Sequence, residues 1–592
     1  MKKLICIALA IFMMLPIIAS CNKKPTTDEN LSKSDDIVLS EEYRIVRADL
    51  ADSQTIKAAA LLHSTILEIT GVDIDLDTDY VKRGEEIPKR KEILIGQTNR
   101  PTTFDRTTLA AGEYYVGIEG DYIIIDASDP KTLHKAIKNV CSKWLGEGDG
   151  IGINKKGELI MNADICSQVN GLYSYIDQQL QELDGNIKDL ETLKKAKDLV
   201  WEEYLETLSS SEDGSDRSTE IIANKTTKIT INNTTMKVMT KVVGNAPKDG
   251  YPLFLVYHGG GYDPEQDTNE GQWAGMADRY ASIPGIYCSI RSVSDFEQSG
   301  QIFSTDISWP FYDRIIQNCI AYMNANPNQV YIVGYSAGGN GVYQIAPRIT
   351  DRLASANMTA GHPEGISLIN LYNMPFYLQV GELDTPYSRY TITVEYAQKL
   401  DDLAARFGGG YVHECFVHYD TVHGKVGDNK SGQTVIADIF AWYNAKRGAG
   451  SYTGGTKVTE THAAKLMTQH TRNPIPERVI WELSVTAKSN GHRGIDSFYW
   501  LSTTLQTGII DASYDKSTNT VTIKTDKVGK GEITVYLSED MVDIFSPVNI
   551  VLPDGTTKTI TPEISVATLR ETTAERGDPN YQFCAQFTFT NG

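Results

Sequence analysis

The turn between residues 334 and 338 constrains this 592-residue chain more than any other feature of its sequence. It reads Gly-Tyr-Ser-Ala-Gly and follows residues 330–333, an apolar run typical of a strand that is buried on both faces. Behind the turn, apolar residues recur with the spacing of one helix face: Val342, Ile345, Ala346 and Ile349. The order strand, tight turn, helix predicts an α/β fold in which Ser336 has a strained backbone at the end of a buried strand.

A second glycine-rich segment, His-Gly-Gly-Gly at residues 258–261, ends another apolar run. Its glycines are therefore expected at the carboxyl edge of the same sheet. Glycines let backbone N–H groups approach a developing alkoxide without interference from a Cβ atom. We expect Gly259 or Gly260 to supply one oxyanion donor and the N–H of Ala337 to supply the other, while His258 has a structural role.

Two further predicted strands end close to a carboxylate and to an imidazole. Residues 375–380 read as a buried strand, and Asp384 follows within a Gly-Glu-Leu-Asp turn. Residues 411–419 read as another strand, and His423 lies in the loop after it, before a predicted helix at 434–447. Both side chains therefore belong at the same sheet edge as the serine.

These residues have the types and the chain order of a nucleophile, an acid and a base. The Nε2 atom of His423 would take the proton of Ser336, and Asp384 would hold the imidazole in the required tautomer. Glu382 and Asp428 are expected to be exposed carboxylates whose loss matters little.

The span from about residue 221 to residue 447 resembles an α/β-hydrolase, because it combines HGGG, GYSAGG, Gly-x-x-Asp and a late His in this order. It is similar to bacterial esterases of the feruloyl-esterase and polyhydroxybutyrate-depolymerase type. The resemblance implies a mostly parallel, doubly wound sheet and hydrolysis through Ser336, Asp384 and His423. The alternative interpretation is a pair of glycine-rich turns with an uninvolved serine.

The spacing of three histidines suggests a rival metal site. His413, His418 and His423 recur at every fifth residue. On a strand, an odd spacing points successive side chains to opposite faces, so His413 and His418 do not converge on one ion. No Cys or carboxylate pair at a recognised spacing supplies further ligands, and we expect neither a metal nor a cofactor.

The amino terminus is typical of an export signal. Lys2 and Lys3 precede an apolar run at residues 4–18, and Ile-Ala-Ser-Cys at 18–21 resembles a bacterial lipobox. Cys21 would become the lipidated first residue and anchor the chain to a membrane. The expected location is the cell envelope or surface.

The net charge and the cysteine spacing argue against nucleic-acid binding and against a cysteine metal site. The formal net charge falls from −20 to −22 once Lys2 and Lys3 are removed, and no basic cluster interrupts this background. A nucleic-acid partner is therefore not expected. The cysteines beyond the signal are scattered in no metal-binding spacing, which favours buried thiols: Cys141, Cys166, Cys288, Cys319, Cys415 and Cys584.

The length is too great for a single core and predicts several folded units. The expected order is a signal peptide, a tether, an α+β domain, a helical segment with linker, a catalytic domain and a β-rich accessory domain, at residues 1–20, 21–36, 37–165, 166–218, 219–450 and 451–592. The α+β segment looks like the small domain that precedes the barrel in β-hexosaminidases and α-glucuronidases. This resemblance carries no catalytic residue and points to a carbohydrate setting by association only.

Three functions are compatible with these features. The first is a surface-anchored serine esterase that acts on small-molecule or polysaccharide esters, with carbohydrate acyl esters preferred. The second is a serine peptidase of the prolyl-oligopeptidase type, since the same residues cleave amides. The third is a glycan-binding lipoprotein without catalysis.

Overall fold

The computed structural model describes most of the chain and divides it into two compact units, Met1–Tyr175 and Ile176–Gly592. The finer boundaries expected from the sequence stay predictions. The described residues are 36–38, 42–82, 84–110, 112–144, 151–153, 159–162, 168–208, 217–231, 233–260, 272–291, 308–447, 454–458, 460–487 and 495–592.

The first unit contains a six-stranded mixed sheet and a three-stranded sheet, in the orders β3-β2-β4-β6-β5-β9 and β1-β8-β7. Its strands are β1 Asp36–Val38, β2 Tyr43–Arg47, β3 Leu76–Thr78, β4 Lys91–Ile95, β5 Glu113–Glu119, β6 Tyr122–Ala127, β7 Ile151–Ile153, β8 Leu159–Asn162 and β9 Gln168–Gly171. Its helices are α1 Ser53–Thr70 and α2 Pro130–Trp144.

Local sequence signals set the elements of this unit. Helix α1 begins after Asp52, whose carboxylate accepts the N–H groups of Gln54 and Thr55, and it ends at Gly71 with φ 71°. The sequence of residues 53–70, closed by Gly71, predicts a helix of these bounds, and the structure confirms it. Residues 167–208 read in the sequence as helical throughout, which is wrong at the start, because residues 168–171 pair as an edge strand with β5.

The second unit contains three sheets. Its strands are β10 Lys225–Ile231, β11 Thr234–Val243, β12 Tyr251–Tyr257, β13 Gly285–Ile290, β14 Ala325–Tyr335, β15 Ser355–Thr359, β16 Phe376–Gly381, β17 His413–His418, β18 Thr434–Ile436, β19 Gly455–Lys457, β20 Arg478–Glu482, β21 Ser497–Phe498, β22 Leu501–Thr503, β23 Ile509–Asp515, β24 Thr520–Asp526, β25 Gly531–Leu537, β26 Val548–Val551, β27 Thr557–Ile560 and β28 Ala585–Asn591.

The remaining helices of the described residues follow from residue 172 onward. They are α3 Leu172–Leu183, α4 Leu190–Leu208, α5 Met276–Tyr280, α6 Trp309–Met323, α7 Ala337–Ile345, α8 Arg389–Phe407, α9 Ile439–Arg447, α10 Ala463–Met467, α11 Leu483–Thr486 and α12 Val566–Arg576.

A ten-stranded sheet is the centre of this unit, in the order β10-β11-β13-β12-β14-β15-β16-β17-β18-β19. The six strands from β13 to β17 in that order pair in parallel, and the outer strands pair antiparallel. Parallel strands are buried on both faces, which is why residues 253–257 and 330–333 are apolar and fully buried. The chain is thus an α/β protein.

One predicted helix of this sheet region is wrong at its start. Residues 434–436, which were expected to be helical, form β18 and pair with β17 through Val435 and His418. The β-branched run Thr-Val-Ile favours a strand. The helix begins only at Ile439, after Asp438 accepts the N–H of Ala441.

The β pattern expected after residue 481 is present. A five-stranded sheet has the order β20-β23-β24-β26-β27, and a four-stranded sheet has the order β21-β22-β25-β28. Side chains of both sheets and of α4 share one apolar core.

Buried ion pairs join this β-rich part to the central sheet region. Arg472 donates to the carboxylate of Asp578 at 2.7 Å and to the carbonyl of Asp351 at 2.9 Å. Arg576 pairs with the carboxylate of Asp351. The side chains of Arg472 and Asp578 are 2% and 1% exposed, so neither charge is compensated by water.

Arg472→Met is therefore expected to lower the free energy of unfolding by about 3 to 5 kcal/mol, because it leaves the Asp578 charge buried without its partner. Arg570 is the matched control, since its side chain and that of its partner Glu203 are 36% and 22% exposed. Arg570→Met should cost about 1 kcal/mol or less. Urea unfolding measures both values, and equal losses would contradict the distinction.

Candidate active site

Ser336 lies at the sharp turn between β14 and α7, as the sequence predicted. Its backbone has φ 58° and ψ −117°, a conformation that a residue with a side chain rarely adopts. The N–H of Ser336 donates to the carbonyl of Thr359 on the neighbouring strand at 2.9 Å. This hydrogen bond helps to hold the strained turn in place.

The glycines that flank the serine are required by space. A Cβ atom at Gly334 would lie 2.2 Å from the carbonyl oxygen of Gly338. A Cβ atom at Gly338 would lie 2.4 Å from the carbonyl oxygen of Tyr257. Any larger residue at either position would push the turn away from β12 and from the start of α7.

Three side chains from three strand ends form a continuous hydrogen-bonded row. The Nε2 atom of His423 lies 2.9 Å from Oγ of Ser336, and its Nδ1 atom lies 2.7 Å from Oδ2 of Asp384. The Asp384 side chain is fully buried, whereas the imidazole is 33% exposed. The row therefore runs from a buried carboxylate to a serine beside a solvent-accessible imidazole.

The second oxygen of Asp384 faces a cation. Among the described residues, Oδ1 has no hydrogen-bond partner, and Nη1 of Arg389 lies 3.9 Å from it. Arg389 begins α8, and its side chain is only 11% exposed. The guanidinium therefore places a positive charge beside the buried carboxylate.

Residues that the sequence analysis did not identify fix the loop of His423. The hydroxyl of Tyr335 donates to the carbonyl of His423 at 2.9 Å. The Arg279 guanidinium lies 4.9 Å above the Tyr335 ring and pairs with Asp428, which also accepts the hydroxyl of Tyr280 at 2.7 Å. The loop is thus held at His423 and again at Asp428. No pattern in the sequence indicated this cluster.

The expectation that Glu382 and Asp428 are exposed is wrong. Asp428 is fully buried in the ion pair just described, and Glu382 is 8% exposed. Glu382 accepts the N–H of Asp420 at 3.0 Å and the indole N–H of Trp442 at 3.2 Å. Both carboxylates are therefore structural, because each one satisfies buried donors.

Two of the predicted oxyanion donors, Ala337 and Gly259, lie beside the serine turn. Ala337 is the first residue of α7, and Gly259 and Gly260 follow β12. A Cβ atom at Gly259 would lie 3.4 Å from the carbonyl oxygen of Tyr335. His258 is fully buried, and its Nδ1 atom lies 2.6 Å from the carbonyl oxygen of Gly259.

The histidines considered for a metal point to different partners. His413 lies 3.7 Å from Asp401, while Nε2 of His418 lies 2.9 Å from Oε1 of Gln379. The third histidine, His423, belongs to the row with Asp384. Within the described ranges, no group of three His, Cys, Asp or Glu side chains is arranged to hold a metal ion.

His418 belongs to a buried polar network across β15, β16 and β17. Gln379 donates to Oδ1 of Asn357 at 2.8 Å and holds His418 on its other side. Burial lowers the pKa of His418 to about 4. The imidazole is therefore neutral in the folded protein at neutral pH.

This shift predicts acid lability. Between about pH 6.5 and pH 4 the unfolded chain binds a proton at residue 418 that the folded protein does not, so stability falls as the pH falls through this window. The loss amounts to about 3 kcal/mol at the low end. In urea unfolding at several pH values, His418→Gln should abolish this acid-dependent loss of stability, whereas His413→Gln should retain it. Identical pH profiles for both variants and the wild type would contradict the shift.

The described thiols are poor nucleophiles. Cys141, Cys288, Cys319 and Cys584 are buried and Cys415 is partly buried, and all five are free. Burial raises the pKa of Cys415 to about 12. A thiolate at Cys415 is therefore disfavoured at neutral pH.

A second serine and histidine pair lies elsewhere in the unit. Oγ of Ser282 and Nε2 of His462 are 2.9 Å apart. Within the part of the chain that the structure describes, Nδ1 of His462 is buried without a hydrogen-bond partner, so no described carboxylate orients this ring through that nitrogen. The pair therefore lacks the third member that Asp384 provides in the row of Ser336.

The predicted lipidation site, Cys21, lies outside the described residues, as does the whole segment 1–35. Among the described residues, no helix combines the length and the apolar character needed to cross a membrane.

No model of a known protein family matches the chain, and no curated protein matches it in sequence. Part of the chain is similar in fold to a thermostable esterase, with 15% identity, a TM-score of 0.29, and coverage of 42% of this chain and 63% of that one. The chain thus spans less than two thirds of that esterase.

Two other solved structures give similar values. A poly(3-hydroxybutyrate) depolymerase from Bordetella parapertussis has 15% identity and a TM-score of 0.29, with 40% of this chain and 97% of that one covered. Esterase 2 of Thermogutta terrifontis, phosphorylated by paraoxon, has 14% identity and a TM-score of 0.26, with 34% and 84% covered. Likenesses of this size do not identify the activity of this chain.

Proposed function

We propose that the protein is a serine hydrolase of the α/β-hydrolase type that cleaves carboxylic esters through an acyl-enzyme on Ser336. One observation carries this proposal: the hydrogen-bonded row from Asp384 through His423 to Ser336, at a strained turn on the carboxyl edge of a parallel sheet. A serine is a weak nucleophile unless an oriented base removes its proton. The row supplies such a base.

The first half of the reaction forms the acyl-enzyme. Oγ of Ser336 attacks the ester carbonyl carbon while Nε2 of His423 takes its proton, and Asp384 stabilises the imidazolium. The carbonyl oxygen becomes an oxyanion that the N–H of Ala337 and an N–H of Gly259 or Gly260 would stabilise. Collapse breaks the ester bond, and the imidazolium gives its proton to the leaving alcohol.

The second half releases the acid. Water gives a proton to His423 and its hydroxide attacks the acyl carbon, after which collapse returns the proton to Oγ of Ser336. The partial exposure of the imidazole, 33%, is consistent with entry of this water. All proton transfers use the one imidazole, so neither metal nor cofactor is part of the proposal.

Gly260→Val tests the oxyanion role. Gly260 has φ 153°, a backbone conformation that β-branched residues avoid, so valine would displace the N–H groups of the loop. We expect kcat to fall about a hundredfold, the value of one such donor. Gly275→Val is the control, because nothing lies within 4 Å of a Cβ atom there. Unchanged kcat in the Gly260 variant would show that this segment is structural.

The preferred substrate class is proposed to be carbohydrate acyl esters. Support comes only from the association of the N-terminal segment with carbohydrate-active enzymes. A panel of p-nitrophenyl esters, acylated sugars and peptide anilides separates the three candidate functions. Ester turnover supports the esterase, anilide turnover supports a peptidase, and sugar binding without any turnover supports a glycan-binding protein.

We also propose that the protein is an exported lipoprotein, anchored through Cys21, with the hydrolase domain at residues 219–450 between an α+β domain and a β-rich domain. The lipobox-like segment at 18–21 supports the anchor. Cys21→Ser should release the protein from membranes without a change in specific activity. Palmitate labelling and membrane fractionation measure this, and an unlabelled, soluble wild type would contradict the anchor.

A further inference from the structure

Apolar side chains are exposed around the acid and the base of the proposed site. Among the described residues, twelve large hydrophobic side chains are exposed, and three of them lie within three residues of Asp384 or His423. These three, Leu383, Tyr387 and Val422, are here called the apolar rim, and they are 41%, 67% and 49% exposed. Exposed apolar side chains that cluster in this way mark binding surfaces.

Backbone contacts bring two members of the apolar rim onto adjacent loops. The N–H of Leu383 donates to the carbonyl of Thr421 at 2.9 Å. Leu383 directly precedes Asp384, and Val422 directly precedes His423. The loop of the acid therefore runs beside the loop of the base, with one aliphatic side chain exposed on each.

The exposed Tyr387 lies in a turn with an unfavourable backbone conformation. Tyr387 and Ser388 have φ 56° and 55°, and two successive residues with side chains rarely adopt this region. The Tyr387 ring lies 4.6 Å from the guanidinium of Arg389, whose Nη1 atom is 3.9 Å from Asp384. The exposed Tyr387 ring thus contacts Arg389, which in turn lies beside Asp384.

The chemistry of the proposed reaction determines which part of the substrate lies next to the apolar rim. The imidazolium must donate to the leaving oxygen, so that oxygen comes within about 3 Å of Nε2 of His423. The carbonyl oxygen instead faces the donors at Gly259, Gly260 and Ala337. The alcohol part of the ester therefore lies on the His423 side, where the apolar rim is, and the acyl part extends elsewhere.

We infer that the apolar rim binds the alcohol part of the substrate, and that this part is a ring with an apolar face. The inference rests on the proposed esterase function. An aromatic ring flanked by two aliphatic side chains can cover one face of a flat or puckered ring, and burial of that face stabilises the complex. Aryl alcohols and pyranoses share this chemistry, and the experiment distinguishes them.

The experiment compares acetates of three alcohols with similar leaving-group acidity. Benzyl acetate and methyl 6-O-acetyl-glucopyranoside carry rings, and methyl acetate does not. We expect kcat/KM of the wild type to favour at least one ring ester over methyl acetate about tenfold or more. Preference for the benzyl ester assigns an aryl alcohol, and preference for the glucoside assigns a pyranose.

Matched substitutions locate the selectivity. Val422→Ser and Tyr387→Asn should each reduce the ratio of ring ester to methyl acetate severalfold. Val412→Ser should leave that ratio unchanged, because Val412 is comparably exposed, at 58%, but lies at the amino end of β17, beside the start of β16. The ratio between methyl hexanoate and methyl acetate reports the acyl side and should stay constant in all three variants.

The outcomes distinguish a failure of the esterase function from a failure of the inference about the apolar rim. Absence of any ester hydrolysis in the wild type would contradict the esterase function itself. Hydrolysis without a ring preference, or with a preference that Val422→Ser and Tyr387→Asn leave unchanged, would overturn the apolar rim while the esterase function stands. A change confined to the acyl-chain ratio would also overturn it.

Discussion

Replacing Ser336 by alanine is expected to lower kcat for ester hydrolysis by about a millionfold, as the loss of a triad nucleophile does in comparable hydrolases. Without Oγ no acyl-enzyme forms, and His423 can only assist direct attack by water. The fold should persist, because alanine fits where serine does and the 2.9 Å hydrogen bond from this N–H to Thr359 is retained. Steady-state kinetics together with circular dichroism measure both effects.

Ser282→Ala is the matched control for that variant. Ser282 is also 2.9 Å from a histidine nitrogen, but the other nitrogen of that histidine has no hydrogen bond to any residue that the structure describes. We expect Ser282→Ala to retain wild-type kcat. Loss of turnover in the Ser282 variant, with activity retained in the Ser336 variant, would move the nucleophile to the other pair.

Replacing Asp384 by asparagine is expected to lower kcat by about ten thousandfold at neutral pH. The amide of asparagine would donate to Nδ1 of His423, which then carries its proton on Nε2 and no longer accepts from Ser336. The imidazolium would also lose the carboxylate that now lies 2.7 Å from Nδ1. The measurement is kcat and thermal stability of the same preparation.

Glu382→Gln distinguishes this catalytic loss from a general loss of structure. Glu382 is two residues away and is also buried, but its partners are Asp420 and Trp442 rather than the imidazole. We expect it to lower the melting temperature while kcat at 25 °C stays within severalfold of the wild type. An equal loss of kcat in both variants would show that the region acts through stability alone.

Short-range patterns predicted the parts of the fold that depend on neighbours in the chain. The apolar runs before Ser336, Asp384 and His423 are parallel strands, and their carboxyl ends share one sheet edge. The capped helix after Asp52 has the predicted bounds. Each of these features is fixed by periodicity, capping or turn geometry, which a single segment carries.

Burial of single polar residues could not be predicted, because it depends on partners far away in the chain. Asp428 looked exposed in a polar loop, yet it is buried against Arg279, which lies 149 residues earlier. Tyr335 was expected only as part of the turn at 334–338, and its hydroxyl holds the His423 loop. The start of the helix after residue 434 was missed for the same reason, since the pairing of β18 with β17 and β19 decides it.

Covalent labelling tests the central claim most directly. The intact wild-type protein is treated with a small fluorophosphonate, digested, and analysed by mass spectrometry to locate the adduct. The account predicts one stoichiometric adduct on the peptide that contains Ser336, loss of hydrolysis in parallel with labelling, and much slower labelling in His423→Ala. Full labelling at another serine, or persistent ester hydrolysis by protein that is fully modified at Ser336, would contradict it.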